Sequence, residues 1–170
     1  TLVLMARTGD RLMQVKESCQ SPEKHLSVPV DLTDMTQLQQ GVEKATAFLG
    51  EVDVVIHVAG GGLGLHNALL SSEELLKLFT LNVVVAAEIN RWVAPLMVKR
   101  KSGNLVHVCS IASSEATASV GYNTVKSALA AYVRSLGREL AGSGVVATGI
   151  LPGGFYAPGN SWERLEANKP

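Results

Sequence analysis

Three side chains able to do chemistry fall in one short stretch, "VCSIASSEATASVGYNTVKSALAAY", residues 108 to 132: Ser110, Tyr122 and Lys126. Tyr122 and Lys126 are four positions apart, which on a helix puts them on one face about a turn from each other. A phenol beside an ammonium is drawn toward its charged form. A group with an ordinary pKa of about 10 can then exchange protons nearer neutral pH and serve as a general acid or base. Ser110 precedes Tyr122 by 12 positions, and its hydroxyl could steady a substrate oxygen if the intervening loop folds back. Ser113 and Ser114 are alternatives to it. Taken alone, a Tyr and a Lys at this spacing also describe an ordinary solvated helix face.

The elements that must position these groups alternate along the chain. "TLVLMA" (1 to 6), "LSVPV" (26 to 30), "VDVVIHVAG" (52 to 60), "NLVHVCS" (104 to 110) and "GVVATGILPGG" (144 to 154) read as strands. The third is a continuous Val/Ile run, the pattern of a strand buried on both faces of a parallel sheet. Helical patterns fill the intervals at 10 to 19, at 31 to 50 with Thr33 or Asp34 as cap and Gly50 as stop, at 71 to 101 from a Ser-Ser-Glu-Glu start, and at 121 to 140. This order predicts an α/β fold, a doubly wound parallel sheet in three layers, as one domain over residues 1 to 170. Ligands bind such sheets outside the carboxyl ends of the strands. The glycine cluster at 60 to 64, Ser110, and Pro152 with Gly153 all fall there.

With these motifs in order, nearly the whole chain resembles the classical short-chain dehydrogenase/reductase family, a Rossmann-like fold. "VDVVIHVAGGG" resembles that family's strand and Asn-Asn-Ala-Gly turn, and "LFTLNVVV" its Asn-bearing helix. "VHVCS" resembles its serine strand, "YNTVK" its Tyr-x-x-x-Lys pair and "ILPGG" its Pro-Gly turn. The resemblance implies hydride transfer between a nicotinamide cofactor and a ketone or secondary alcohol. It implies Tyr122 as proton donor, Ser110 orienting the carbonyl, Lys126 on the nicotinamide ribose, and Asn82 supporting a water in the proton relay. It further implies cofactor contacts from Asp31 and Leu32, from Ala59 and Gly60, and from Pro152 and Gly153. A homodimer or homotetramer paired through the helices at 71 to 101 and 121 to 140 is implied as well.

Cofactor preference turns on the end of the strand resembling the family's second, where an acid favours the free 2′-hydroxyl and a base the 2′-phosphate. Ala6 stands where the acid would be, and Arg7 offers a fork of donors, so NADP(H) is expected over NAD(H). An ordinary solvated charge is the other reading of Arg7, and a helix cap the other reading of Asp31.

The sequence departs from the family pattern in places. It starts at what resembles the second strand, so the first strand, its glycine-rich pyrophosphate loop and the C-terminal end of the family fold are not found in it. The expectation is that 170 residues are not the whole functional polypeptide, and that the sheet has an unfilled slot. The "AGGGLG" run does not fit Gly-x-Gly-x-x-Gly. His57 and Val58 stand in place of two Asn residues, with His57 expected to pack or cap rather than act as a base. Phe155, Tyr156 and Trp162 fall where the family builds a substrate lid.

Composition narrows the partners. Fifteen basic residues balance fifteen acidic ones, so no net field draws the chain to nucleic acid or an anionic membrane. No continuous apolar run reaches the roughly 18 residues of a membrane span. Cys19 and Cys109 lie far apart, and the histidines lack metal-ligand spacing, so neither a disulfide framework nor a metal site is expected. Together these predict a cytoplasmic protein with a small carbonyl or alcohol substrate. The competing reading is a non-catalytic, truncated module of the same fold that binds or scaffolds.

Overall fold

Strand and helix alternate in a computed structural model of the chain, which describes residues 1–154. The expected lid residues Phe155, Tyr156 and Trp162 lie outside the described residues. The order is β1 (Val3–Ala6), α1 (Gly9–Ser18), β2 (Leu26–Pro29), α2 (Met35–Leu49), β3 (Val54–His57), α3 (Ser72–Phe79), α4 (Val85–Arg100), β4 (Gly103–Val108), α5 (Val120–Glu139) and β5 (Val145–Ile150).

Local chemistry sets these boundaries. Asp34, one of the two expected caps, accepts from the N–H groups of Thr36 and Gln37 and starts α2; Gly50, at φ 71°, stops it. Ser71 and Glu74 form a reciprocal capping box at the start of α3. A π-helical turn at Thr80–Val84 joins α3 to α4, so the long helix expected at 71 to 101 is continuous but bulged, and Asn82 sits in the bulge. Such one-turn bulges are frequent at functional sites. The whole rod, Ser72–Arg100, is long and apolar enough to cross a membrane by length and composition, which the sequence reading did not anticipate. Its buried side chains, among them Leu78, Val85, Val93 and Met97, pack against the rest of the protein.

All strand pairings are parallel, but they form two sheets: β1 with β2, and β3–β4–β5 in that order. No described strand bridges β1 and β3, which is the slot the sequence predicted. Ser27 of β2 donates to the Leu12 carbonyl of α1, whereas Gly41 of α2 lies against Met5 and Val30. Residues 27 and 30 project to opposite faces of an extended chain, so the two helices wind on opposite sides.

One core cluster joins Leu38 and Val42 of α2 to Val93, Ala94 and Met97 of α4 and Leu105 of β4. A second joins Leu78 and Val83 to Cys109 and to Val125, Leu129 and Val133 of α5. Both cover one face of the three-stranded sheet. The alternate residues on the other face, Val54, Ile56, Val146 and Ile150, are each about half exposed or more. The expectation that β3 is buried on both faces is therefore corrected, because among the described residues helices cover one side alone.

Candidate functional site

The sharp turn after β3 is the centre of the site. A Cβ placed on Gly60 would fall 2.7 Å from Asn82 Oδ1 and 3.2 Å from Lys126 Nζ, so that position accepts only a bare backbone. Gly61 donates its N–H to Asn82 Oδ1 at 3.0 Å, and Asn82 Nδ2 donates back to the Gly61 carbonyl at 3.0 Å and to the Leu78 carbonyl at 2.9 Å. The Asn82 side chain is thus fully engaged with backbone. Its amide holds the turn. Gly62 lies over the Tyr122 ring.

Lys126 is 3% exposed, and its ammonium donates to the Val108 carbonyl at 2.9 Å. It lies 5.6 Å from the centroid of the Tyr122 ring. Burial lowers its pKa, and neighbouring Cys109 opposes that effect more weakly. The Tyr122 hydroxyl makes no hydrogen bond among the described residues.

Ser110 follows β4 directly. Its Oγ accepts from the Ala112 N–H at 3.1 Å, opening a short 3-10 turn (Ile111–Ser113) and leaving its own proton for another acceptor. The loop does fold back. Asn123 Nδ2 donates to the Ala112 carbonyl at 3.2 Å, and Ser127 Oγ to the Ser113 carbonyl at 2.9 Å, tying the turn to α5 on either side of the Tyr122–Lys126 pair. The Ile111 N–H donates to the Pro152 carbonyl at 3.1 Å, which sets Pro152 and Gly153 beside Ser110. Ser113, an alternative at the sequence level, has its Oγ buried without a partner.

A second group gathers at the ends of β1 and β2. Arg7 is exposed and close enough to Asp31 to contribute to holding its carboxyl below the usual range, although the larger causes are the bonds Asp31 accepts from the Thr33 hydroxyl and N–H at 2.7 and 2.9 Å. Asp31 caps its own turn, while the cap of α2 is Asp34. Leu32 packs its side chain against the first core cluster, so only its backbone is available to a ligand. Ala59 lies part-buried ahead of Gly60.

The chemistry of these residues fits a nicotinamide cofactor at both ends. Lys126 and the bare Gly60 backbone suit the nicotinamide ribose, and the Arg7 guanidinium suits a phosphate on the adenosine ribose. Between the ends, no strand-to-helix turn among the described residues carries Gly-x-Gly-x-x-Gly.

Sequence reasoning missed two features. Asn123 clamps the serine loop, and its only signal was an amide in the first helical turn. His57 packs as expected, but within a network of Asn90, His107 and Tyr132 from three other elements.

The chain belongs to the short-chain dehydrogenase family, whose model, described as short chain dehydrogenase, matches residues 1–167. It is 29% identical over 155 residues to ketoacyl reductase HetN of Nostoc sp., covering 90% of this chain and 54% of that protein. L-sorbose reductase of Gluconobacter frateurii, solved with NADPH and L-sorbose, superposes with TM-score 0.82 at 26% identity over 92% of this chain and 60% of that one. A 7α-hydroxysteroid dehydrogenase solved with NADH and 7-oxo glycochenodeoxycholic acid gives TM-score 0.82 at 25% identity, over 89% and 60%. The chain spans just over half the length of these proteins.

Proposed function

We propose that this chain carries the catalytic half of an NADP(H)-dependent oxidoreductase that interconverts a ketone and a secondary alcohol, acting in the cytoplasm as a homodimer or homotetramer joined through α4 and α5. The observation that carries this reading is the buried Lys126 ammonium beside the Tyr122 ring and the bare Gly60 turn.

The cofactor, when bound, supplies or accepts the hydride at the substrate carbon. Every other role belongs to side chains of this chain. In reduction Tyr122 gives its phenolic proton to the carbonyl oxygen, and Ser110 donates its free Oγ proton to the same oxygen as a hydrogen bond. Lys126 favours the resulting phenolate by charge. Asn82 and Gly60 keep the turn close against Lys126. In oxidation the same groups run in reverse. NADP(H) is preferred because Arg7 is exposed near Asp31 with no acid at Ala6; relatives bind either nucleotide.

The test is NADPH oxidation by the full polypeptide against ketoses, ethyl acetoacetate and 3-oxoacyl thioesters. Wild type should turn over at least one of these, and Tyr122→Phe should lose about a hundredfold or more of kcat. The second reading is a binding module without catalysis. It is the outcome if neither NADPH nor NADH changes the protein's fluorescence.

A further inference from the structure

A buried polar network lies one strand end away from the Gly60 turn, outside the groups that act on substrate. His57 of β3 and His107 of β4 stack with ring centroids 4.4 Å apart and planes 20° from parallel. Asn90 of α4 spans both. His57 Nε2 lies 2.8 Å from Asn90 Oδ1, and Asn90 Nδ2 lies 3.0 Å from His107 Nε2 and 3.1 Å from the hydroxyl of Tyr132 on α5. His107 Nδ1 lies 3.3 Å from the Thr148 carbonyl of β5. Asn90 is 2% exposed and His107 fully buried.

This pattern admits one arrangement of protons. A carbonyl accepts only, so His107 must donate from Nδ1, which makes its Nε2 an acceptor for the Asn90 amide. The amide oxygen of Asn90 then accepts from His57 Nε2–H. The two imidazoles are held in opposite tautomers, both neutral, and burial favours the neutral form of each.

The network's place in the fold gives it a task. His57 ends β3, and three residues later Gly60 touches Asn82 and Lys126, with Gly62 against Tyr122. Asn90 lies eight residues after Asn82 on the same continuous rod, and Tyr132 six after Lys126 on α5. One amide therefore ties together the strand that delivers the turn, the rod that clamps it and the helix bearing the Tyr–Lys pair.

We propose that Asn90 is a positioning residue for the reaction, fixing His57 and His107 in opposite tautomers and so locking the Gly60–Gly62 turn against Asn82, Lys126 and Tyr122. This rests on the oxidoreductase reading above. A turn that shifts by an ångström moves the reacting groups relative to one another and slows the chemical step while leaving substrate pocket walls in place.

The experiment combines spectroscopy and kinetics on the full polypeptide. Long-range ¹H–¹⁵N spectra at neutral pH should show His57 protonated at Nε2 alone and His107 at Nδ1 alone. On whichever ketone of the panel is reduced fastest, Asn90→Leu should lower kcat roughly tenfold or more, with KM for the ketone within about threefold. If Asn90→Leu does not fold, His57 serves instead: His57→Leu should show the kcat loss, and His57→Gln, whose amide N–H can replace Nε2–H, should recover most of it. An Nε2–H tautomer at His107 would overturn the proposal, as would wild-type kcat in Asn90→Leu or equal loss in the two His57 variants. A wild-type protein inactive on the whole panel, with both tautomers as assigned, would overturn the function reading and the positioning role with it, whereas active wild type with unaffected variants overturns the positioning role alone.

Discussion

Asn82 and Gly61 exchange two hydrogen bonds of 3.0 Å each, side chain to backbone in both directions, across 21 residues of sequence. The asparagine side chain therefore does for the turn what a neighbouring strand would do for a strand. Replacing Asn82 by Ala leaves a backbone donor and acceptor in a part-buried turn unpaired, at about 1 to 3 kcal/mol for each group. Asn82→Ala should lower the urea midpoint accordingly, and activity should fall with it. A variant as stable as wild type would mean that the turn holds itself.

Gly60 should tolerate no side chain. The methyl of Gly60→Ala meets Asn82 Oδ1 at 2.7 Å and Lys126 Nζ at 3.2 Å, so either the turn or the lysine must move. NADPH affinity is expected to weaken roughly tenfold, about 1.4 kcal/mol. Gly62→Ala, whose methyl would make ordinary contact with Tyr122 at 3.9 Å, is the matched control and should stay within about twofold. Fluorescence titration of the two variants distinguishes a steric effect at position 60 from general loosening of a glycine-rich turn.

The NADP(H) reading proposed above makes Arg7 the residue to test. Arg7→Ala should weaken NADPH by roughly tenfold and NADH by no more than about twofold, because only the former presents the phosphate for a charge-assisted bond. Equal losses would assign Arg7 to the solvated surface.

Acid should destabilise the fold before it protonates the carboxylates. Burial, and secondarily the charge of His107, lowers His57 to about 4 from an ordinary 6.5. Between those values the unfolded chain holds the proton and the folded one does not, so stability rises with pH across the window. It falls as pH drops from about 6.5 and levels off near 4, by roughly 3 kcal/mol for this group. His107 is lowered in the same direction. Urea midpoints at pH 7.5, 6.0 and 4.5 should decline in step, and His57→Gln should flatten the decline.

The grouping of Ser110, Tyr122 and Lys126 was legible because it is local: Tyr122 and Lys126 lie four apart on one helix, and Ser110 follows a strand just before the short loop that leads to it. Parallel pairing was legible from the β–α alternation, and the slot between β1 and β3 from the family resemblance. The His57–Asn90–His107–Tyr132 network was not, because its members are up to 75 residues apart and each alone reads as a packed or surface polar group. The π turn at Asn82 was hidden for another reason: an extra residue in a helical turn leaves the apolar pattern of a long helix nearly intact. The exposure of Val54 and Ile56 departs from the two-sided burial their pattern predicts, since an apolar run records what a strand needs covered rather than what covers it.

That uncovered strand has a consequence for the behaviour of the polypeptide in solution. Among the described residues β3 hydrogen-bonds β4 on one side alone, and its other edge lies beside two exposed branched side chains, Val54 and Ile56. Such an edge is a template for intermolecular strand addition. Any polypeptide in which that edge stays unpaired should therefore scatter light and bind amyloid dyes in concentrated solution, and a single lysine gatekeeper at position 56 should suppress both, making colloidal stability a direct gauge of whether that edge is occupied.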